Sequence, residues 1–333
     1  MPDPVIAVSD SVFPDLKPVR EVLSKIGAEL RMAEQNTPAD ITQVAEEADA
    51  LLVTYAQITA PMIRQMRRCR IIARFGIGVD NVDIAEATKA GIVVTRVPDY
   101  CIEEVADHAM SLLLALARRV PLANALTQDG RWELAALTPI HRLRGCTLGL
   151  VGFGRIPQSV TPRAQAFGLK VVSYDPFVAT EVMAAAGVEK ASFAELLRSS
   201  DFISIHAPLT PETTGLFNGN SLRQMKPTAY LINTARGPIV DETALAQALD
   251  AGHLAGAALD VLSKEPPEDS PLLHRNNVIL TPHMSFYSVE SLVDLQTKAA
   301  EEVVRVVQGE MPRHAVNPQV LHSSRERNAM VEG

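Results

Sequence analysis

The sequence predicts an α/β protein made of two doubly wound parallel-sheet domains, and three observations carry that prediction. Short apolar runs alternate with amphipathic ones from Val5 onward, the pattern of parallel strands covered by helices. The 333 residues exceed the length of roughly 250 to 300 at which one hydrophobic core stops growing, so two domains are expected. Residues 148–175 read as strand, glycine turn, helix and strand, which at about 30 residues is the size of a βαβ crossover.

Taken in order, Val5–Val8, Ala50–Val53, Ile71–Arg74 and Val93–Thr95 read as strands, and residues 16–26, 41–48, 60–67 and 84–90 as helices. No glycine fingerprint follows the first strand, so this domain is not expected to hold a dinucleotide. Its third strand runs into Arg74-Phe75-Gly76-Ile77-Gly78-Val79-Asp80-Asn81. Two glycines at the carboxyl end of a parallel strand offer backbone N–H groups where open sheets bind ligands. Ile77 and Gly78, with Arg74 or Tyr55 nearby, are therefore candidates for holding a substrate carboxylate. A tight turn with Asn81 or Asp83 as a helix cap accounts for the same residues without a ligand. Residues 97–100 read as a crossing between domains. Residues 102–119 form a helix apolar around most of its circumference, either interior or against a second subunit, in which His108 is expected to be packed or capped.

The apolar strand Thr147–Val151 breaks off into Gly152-Phe153-Gly154. Gly152 permits a tight turn, and Gly154 lets the backbone approach a pyrophosphate at the N-terminus of the next helix. Asp175 lies 23 positions after Gly152, where a carboxylate accepts hydrogen bonds from a ribose diol and repels a 2′-phosphate. This Rossmann-like unit predicts NAD rather than NADP. The usual third glycine is Pro157, tolerable in a first turn, whereas Pro162 is expected to remove one helical bond and bend the helix.

Further on, 193–198 reads as a helix, and strands are expected at 202–206, 229–233, 256–261 and Val278–Leu280. Polar groups follow each strand on the rim that faces the ligand crevice of a doubly wound sheet: His206, Arg236, Asp260 with Glu265, and His283. Residues 290–308 read as an amphipathic helix and the tail after Pro318 as polar and mobile.

A formal charge of −8 argues against nucleic acid or an anionic membrane as partner. Cys69, Cys101 and Cys146 are odd in number and far apart, without metal spacing, which suits a reduced cytoplasm with no disulfide framework and no metal. The start lacks a basic, apolar signal pattern, and 109–117 is too short to span a bilayer.

A dinucleotide site with an arginine, a carboxylate and a histidine on one rim meets the needs of hydride transfer to or from a hydroxy acid. Arg236 is the candidate to grip a substrate carboxylate and polarise the adjacent carbonyl. His283 is the candidate acid/base, with Glu265 fixing its tautomer and raising its pKa. His206 is a rival proton donor that spacing does not separate from His283. A surface ion pair, a solvated turn and a helix cap explain the three residues structurally.

The phrases VGFGRIPQ, SYDP, HAPLTPETTGL, LINTARGPIVDETAL, GAALDVLSKEPP and TPHMSFYS, with FGIGVDNVD upstream, resemble the D-isomer-specific 2-hydroxyacid dehydrogenase family over about residues 45–318. The resemblance implies that Arg236, Glu265 and His283 are the substrate arginine, the carboxylate partner and the acid/base. It implies an NAD site lined by Gly152, Gly154, Arg155, Ile156, Asp175, Thr213, Thr234 and Asp260, with the backbone from His206 to Pro208. It also implies a discontinuous substrate domain (1–100 and 288–333), an inserted NAD-binding domain (101–287), an active-site cleft between them, and a homodimer through the NAD domain. PDYCIEEVADHA and TPHMSFYS are most similar to the branch of C-terminal binding proteins, near the phosphoglycerate dehydrogenases. Phe286 stands where that branch commonly carries Trp, so substrate preference is not carried over. Glu265 stands where formate dehydrogenases carry Gln. The expected function is NAD-dependent interconversion of a D-2-hydroxy acid and a 2-keto acid. The alternative is an NAD(H)-responsive regulatory protein of the C-terminal binding type.

Overall fold

A computed structural model describes residues 3–321 of the chain. Its strands, in order, are β1 (Val5–Val8), β2 (Glu29–Met32), β3 (Ala50–Val53), β4 (Ile71–Arg74), β5 (Val93–Thr95), β6 (Thr147–Val151), β7 (Lys170–Tyr174), β8 (Glu189–Lys190), β9 (Phe202–Ile205), β10 (Tyr230–Asn233), β11 (Gly256–Leu259) and β12 (Val278–Leu280). The helices are α1 (Lys17–Leu23), α2 (Pro38–Ala45), α3 (Ala60–Ile63), α4 (Ile84–Lys89), α5 (Ile102–Ala117), α6 (Val120–Gln128), α7 (Arg155–Ala166), α8 (Thr180–Ala185), α9 (Phe193–Ser199), α10 (Gly219–Leu222), α11 (Glu242–Asp250) and α12 (Val289–Val307). The chain divides into two compact units, Met1–Tyr100 with Ser288–Gly333, and Cys101–Tyr287.

The first unit holds a five-stranded sheet in the order β2-β1-β3-β4-β5, parallel throughout. β3 and β4 are buried at every position, because helices cover both faces of a parallel sheet and leave no solvent side to be polar. The order reverses between β1 and β3, where Asp10 accepts the N–H groups of Thr54 (3.1 Å) and Tyr55 (2.7 Å).

Several expected boundaries move, each for a local reason. The helix expected at 41–48 is α2, which starts earlier because Thr37 accepts the Asp40 N–H and Pro38 fits the first helical position. The helix expected at 16–26 turns 3-10 at Ser24–Ile26 and stops at Gly27, which is left-handed at φ +65°. The helix expected at 60–67 ends at Ile63, where the chain tightens into i→i+3 bonds from Gln65 to Met62 and Met66 to Ile63. β2 has no counterpart in the sequence reading; as an edge strand paired only to β1 it is largely exposed and carries no apolar signature. The tail is packed through Leu321, with Val320 5% exposed, so mobility is not the rule directly after Pro318; the rest of it lies outside the described residues.

The second unit holds a seven-stranded parallel sheet in the order β12-β11-β10-β9-β6-β7-β8. The order reverses between β6 and β9, which is where ligands bind in such sheets. Two buried clusters line its two faces. One includes Leu148, Leu150 and Ala258 with α5 and α7; the other includes Val151, Ile203, Leu231 and Leu259 with α9 and α11. α5 ends at Ala117 rather than 119, since Arg119 adopts a left-handed φ of +51° that starts α6. α7 is one helix from Arg155 to Ala166 with Pro162 inside it, so the proline does not divide it. No single helix among the described residues is long and apolar enough to cross a membrane.

Gly149 is the close-packing glycine that the sequence reading missed: a Cβ there would stand 2.4 Å from Ser200 Oγ and 2.8 Å from Leu196 Cγ. Gly149→Val is therefore expected to force α9 off β6 and destabilise the chain by about 1 to 3 kcal/mol, read as a lower urea midpoint at unchanged slope.

Candidate functional site

The second unit's rim is built from strand ends whose backbone N–H groups need partners. At β6, Gly152 has φ +96°, and a Cβ would meet the backbone of His206 and Ala207 at 3.2 Å, so only glycine brings the two loops this close. A Cβ on Gly154 would meet nothing within 4 Å. α7 starts there without a side-chain cap, and the N–H groups of Gly154, Arg155 and Ile156 find no acceptor among the described residues. Pro157 is buried at the third position, where it has no N–H to satisfy. Together these features form an anion cradle of the kind a pyrophosphate fills.

Asp175, at the end of β7, accepts the Phe153 N–H on Oδ2 and the Phe177 N–H on Oδ1, each at 2.8 Å. It thus shapes the glycine turn, and each oxygen keeps a lone pair for a ribose hydroxyl. Thr213 donates to the Pro208 carbonyl (2.7 Å) and accepts from Thr210 N–H (2.8 Å), so it holds the turn after β9. Thr234, after β10, is buried with a hydroxyl that has no partner, an orphan suited to a bound group.

Asn233, the last residue of β10, is fully buried, donates to the Arg236 carbonyl (2.9 Å) and accepts from the Ala235 N–H (3.0 Å). That side chain folds the Thr234–Arg236 turn and aims the residues beyond it, yet nothing in its spacing marked it. Arg236 is half-buried, with Nη1 donating to the Ala235 carbonyl.

His283 Nδ1 and Glu265 Oε2 are 2.7 Å apart, and Glu265 Oε1 accepts the Leu262 N–H at 2.9 Å. Burial raises the Glu265 carboxyl, but the hydrogen bond and charge of His283, the Leu262 N–H and the Arg236 charge outweigh it and hold the group below its ordinary value. His206 differs: burial alone pushes it down to about 4, and Ser204 Oγ lies 2.9 Å from its Nε2. A histidine neutral at ordinary pH is a poor proton donor, which separates His206 from His283 where spacing did not.

The loop that carries His283 hangs on Asp260. This carboxylate, 1% exposed, accepts from the Thr281 hydroxyl (2.5 Å) and Met284 N–H (2.9 Å) on Oδ1, and from Ser285 N–H (2.8 Å) on Oδ2. Its backbone carbonyl accepts the His283 N–H at 2.8 Å. These bonds hold His283 at φ +51°, a left-handed conformation that costs an L-residue about 1 to 2 kcal/mol. The resemblance implied a cofactor contact for Asp260; the hydrogen bonds of its carboxylate go to Thr281, Met284 and Ser285 of the loop.

In the first unit, Ile77 and Gly78 are half-buried after β4, and their N–H groups find no acceptor among the described residues. Arg74 is buried and its guanidinium lies over Gly76, where a Cβ would fall 1.1 Å from Nη1. Tyr55 is exposed on the loop that Asp10 grips, and Asn81 donates to the carbonyls of Thr54 (3.2 Å) and Ala56 (2.9 Å). Asp83 is the cap of α4, accepting the Glu86 N–H at 2.9 Å. Among the described residues no group of His, Cys, Asp and Glu is placed to hold a metal ion.

Glu265 sits below its ordinary carboxyl value in the folded chain, so the stability it adds is complete above the unfolded value and is lost as pH falls through the folded one. Urea unfolding of the wild type and Glu265→Gln is expected to differ most near pH 7, with the gap closing as pH falls below the ordinary carboxyl value.

The profile described as "D-isomer specific 2-hydroxyacid dehydrogenase, NAD binding domain" matches residues 110–285. D-3-phosphoglycerate dehydrogenase of Methanocaldococcus jannaschii is 38% identical over 314 residues, and that of Homo sapiens 37% over 320; the alignments cover 94% and 96% of this chain. The chain spans 59% of the length of these curated relatives. Among solved structures, D-lactate dehydrogenase from Aquifex aeolicus, complexed with NAD and lactic acid, is similar with TM-score 0.85 and 29% identity, over 94% of this chain and 99% of that one. The NADPH-dependent glyoxylate/hydroxypyruvate reductase of Sinorhizobium meliloti, in complex with NADP and malonate, has TM-score 0.84 and 31% identity, over 94% and 97%.

Proposed function

Because this chain belongs to the D-isomer-specific 2-hydroxyacid dehydrogenase family and carries its NAD-binding domain, we propose that it interconverts a D-2-hydroxy acid and the corresponding 2-keto acid. The observation that carries the reading is the His283–Glu265 contact at 2.7 Å, on the same rim as a glycine cradle with unused backbone donors. NAD, when bound, supplies the hydride acceptor and so the redox step. Gly154, Arg155 and Ile156 would hold its pyrophosphate, Asp175 its ribose, and Thr234 one further polar group.

Arg236 grips the substrate carboxylate with its planar fork and draws electron density from the neighbouring carbonyl. Glu265 lies at His283 Nδ1 and fixes the ring, and Nε2 would take the hydroxyl proton on oxidation and return it on reduction. A sensor without turnover has no need of this pair. The unused N–H groups of Ile77 and Gly78 support their assignment, with Arg74 and Tyr55, to substrate binding.

We infer a homodimer through the NAD-binding unit, because α6 buries none of its residues and Trp132 and Leu134 after it are 89% and 76% exposed. We infer a cytoplasmic setting from three free cysteines, of which Cys69 is pushed up to about 12 by burial and is inert.

NADH absorbance is expected to fall when the protein meets one of glyoxylate, hydroxypyruvate, pyruvate or a bulkier keto acid, and His283→Ala to lower kcat about a thousandfold. Silence across that panel, with NADH still bound, would favour the regulatory reading. Asp175→Ala is expected to shift the NADP-to-NAD ratio of kcat/KM by about tenfold, equivalent to about 1.4 kcal/mol. Trp132→Arg should lower the sedimentation coefficient toward that of a monomer.

A further inference from the structure

α5 carries a histidine that the chemistry above does not use. His108 Nε2 lies 3.1 Å from the Thr281 hydroxyl and 3.6 Å from Asp260 Oδ1, with the side chain 17% exposed. A threonine hydroxyl has one proton, and that of Thr281 is committed to Asp260 Oδ1 at 2.5 Å. Toward His108 the hydroxyl therefore accepts, and the imidazole donates from Nε2. The result is a one-way chain of donation from His108 to Thr281 to Asp260. It ends on the residue whose carbonyl and carboxylate also take the N–H groups of His283, Met284 and Ser285. These are the bonds that keep His283 in its left-handed backbone conformation.

We propose that His108 is a positioning residue for His283. By donating to Thr281 it keeps that hydroxyl turned onto Asp260, and so fixes the backbone from which the His283 ring meets Glu265. The inference rests on the reading of His283 as the acid/base and adds a residue to it. Loss of the donor leaves the Thr281 hydroxyl free to rotate off Asp260, and the loop gains room to move. Misplacement by an ångström is enough to slow a proton transfer strongly, while the cofactor cradle on β6 and α7 is untouched. The effect therefore falls on kcat rather than on NADH binding.

The test compares His108→Ala, His108→Phe and His108→Gln in the full chain, using the keto acid that turns over best. Ala removes the ring, Phe keeps its bulk without a donor, and Gln restores an N–H near the position of Nε2. Ala and Phe are expected to lower kcat about tenfold and to raise the solvent deuterium isotope effect on kcat, with the NADH Kd within about twofold of wild type. Gln is expected to recover kcat to within about threefold of wild type. The proposal is overturned if Phe keeps wild-type kcat, if Gln is no better than Phe, or if activity falls only in step with the folded fraction. His283→Asn is measured alongside. Its retention of full turnover sinks the acid/base reading itself, whereas its loss of turnover beside an unaffected Phe variant sinks only the role of His108.

Discussion

The carboxylate of Asp260 is the constraint on which the rim depends. Sealed from water at the end of β11, it would be costly to keep there without partners, and it has them: one hydroxyl and two backbone N–H groups. The bonds serve both sides, since a loop leaving a buried strand also has N–H groups that cannot stay unpaired. Asn233 does the same at the end of β10, Asp175 after β7 and Asp10 after β1. A parallel sheet leaves its carboxyl ends ragged, and short polar side chains at these four strand ends bind the loops into fixed shapes. The chemistry-bearing residues ride on those shapes.

This division of labour explains what was legible in the sequence. β3, β4 and β9 are buried at all positions and announce themselves as short runs, ALLV, IIAR and FISI, with at most one polar residue each. β2 lies on an edge and is largely exposed, so it leaves no apolar pattern to read. The start of α2 was misread because a threonine cap and a proline decided it, ahead of the apolar residues. At the rim, Arg236, Glu265 and His283 stood out by chemical type and by place after a strand. Asp260, Asn233 and Asp10 did not stand out as loop-binders, because the N–H groups they satisfy are brought to them only by folding. The left-handed φ of His283 is equally silent in one dimension.

Electrostatics separates what spacing left equal. His206 and His283 both follow strands of the same sheet, and spacing does not choose between them. Burial pushes His206 down to about 4, while a carboxylate partner 2.7 Å away accompanies His283. The difference lies in what surrounds each ring, and neither ring's sequence neighbours supply it. The Glu265 carboxylate shows the same balance from the other side, with burial acting against ionisation and its hydrogen bonds to His283 and the Leu262 N–H, with the Arg236 charge, acting for it.

The two glycines of the cradle answer to different masters. Gly152 is demanded by the polypeptide itself, through its positive φ and the backbone packed against it, whereas a methyl group at Gly154 would touch nothing in the protein. Mutational drift at the first would be purged by misfolding before any ligand was met. Drift at the second would pass every quality-control check in the cell and be judged only by what the helix amides are asked to hold.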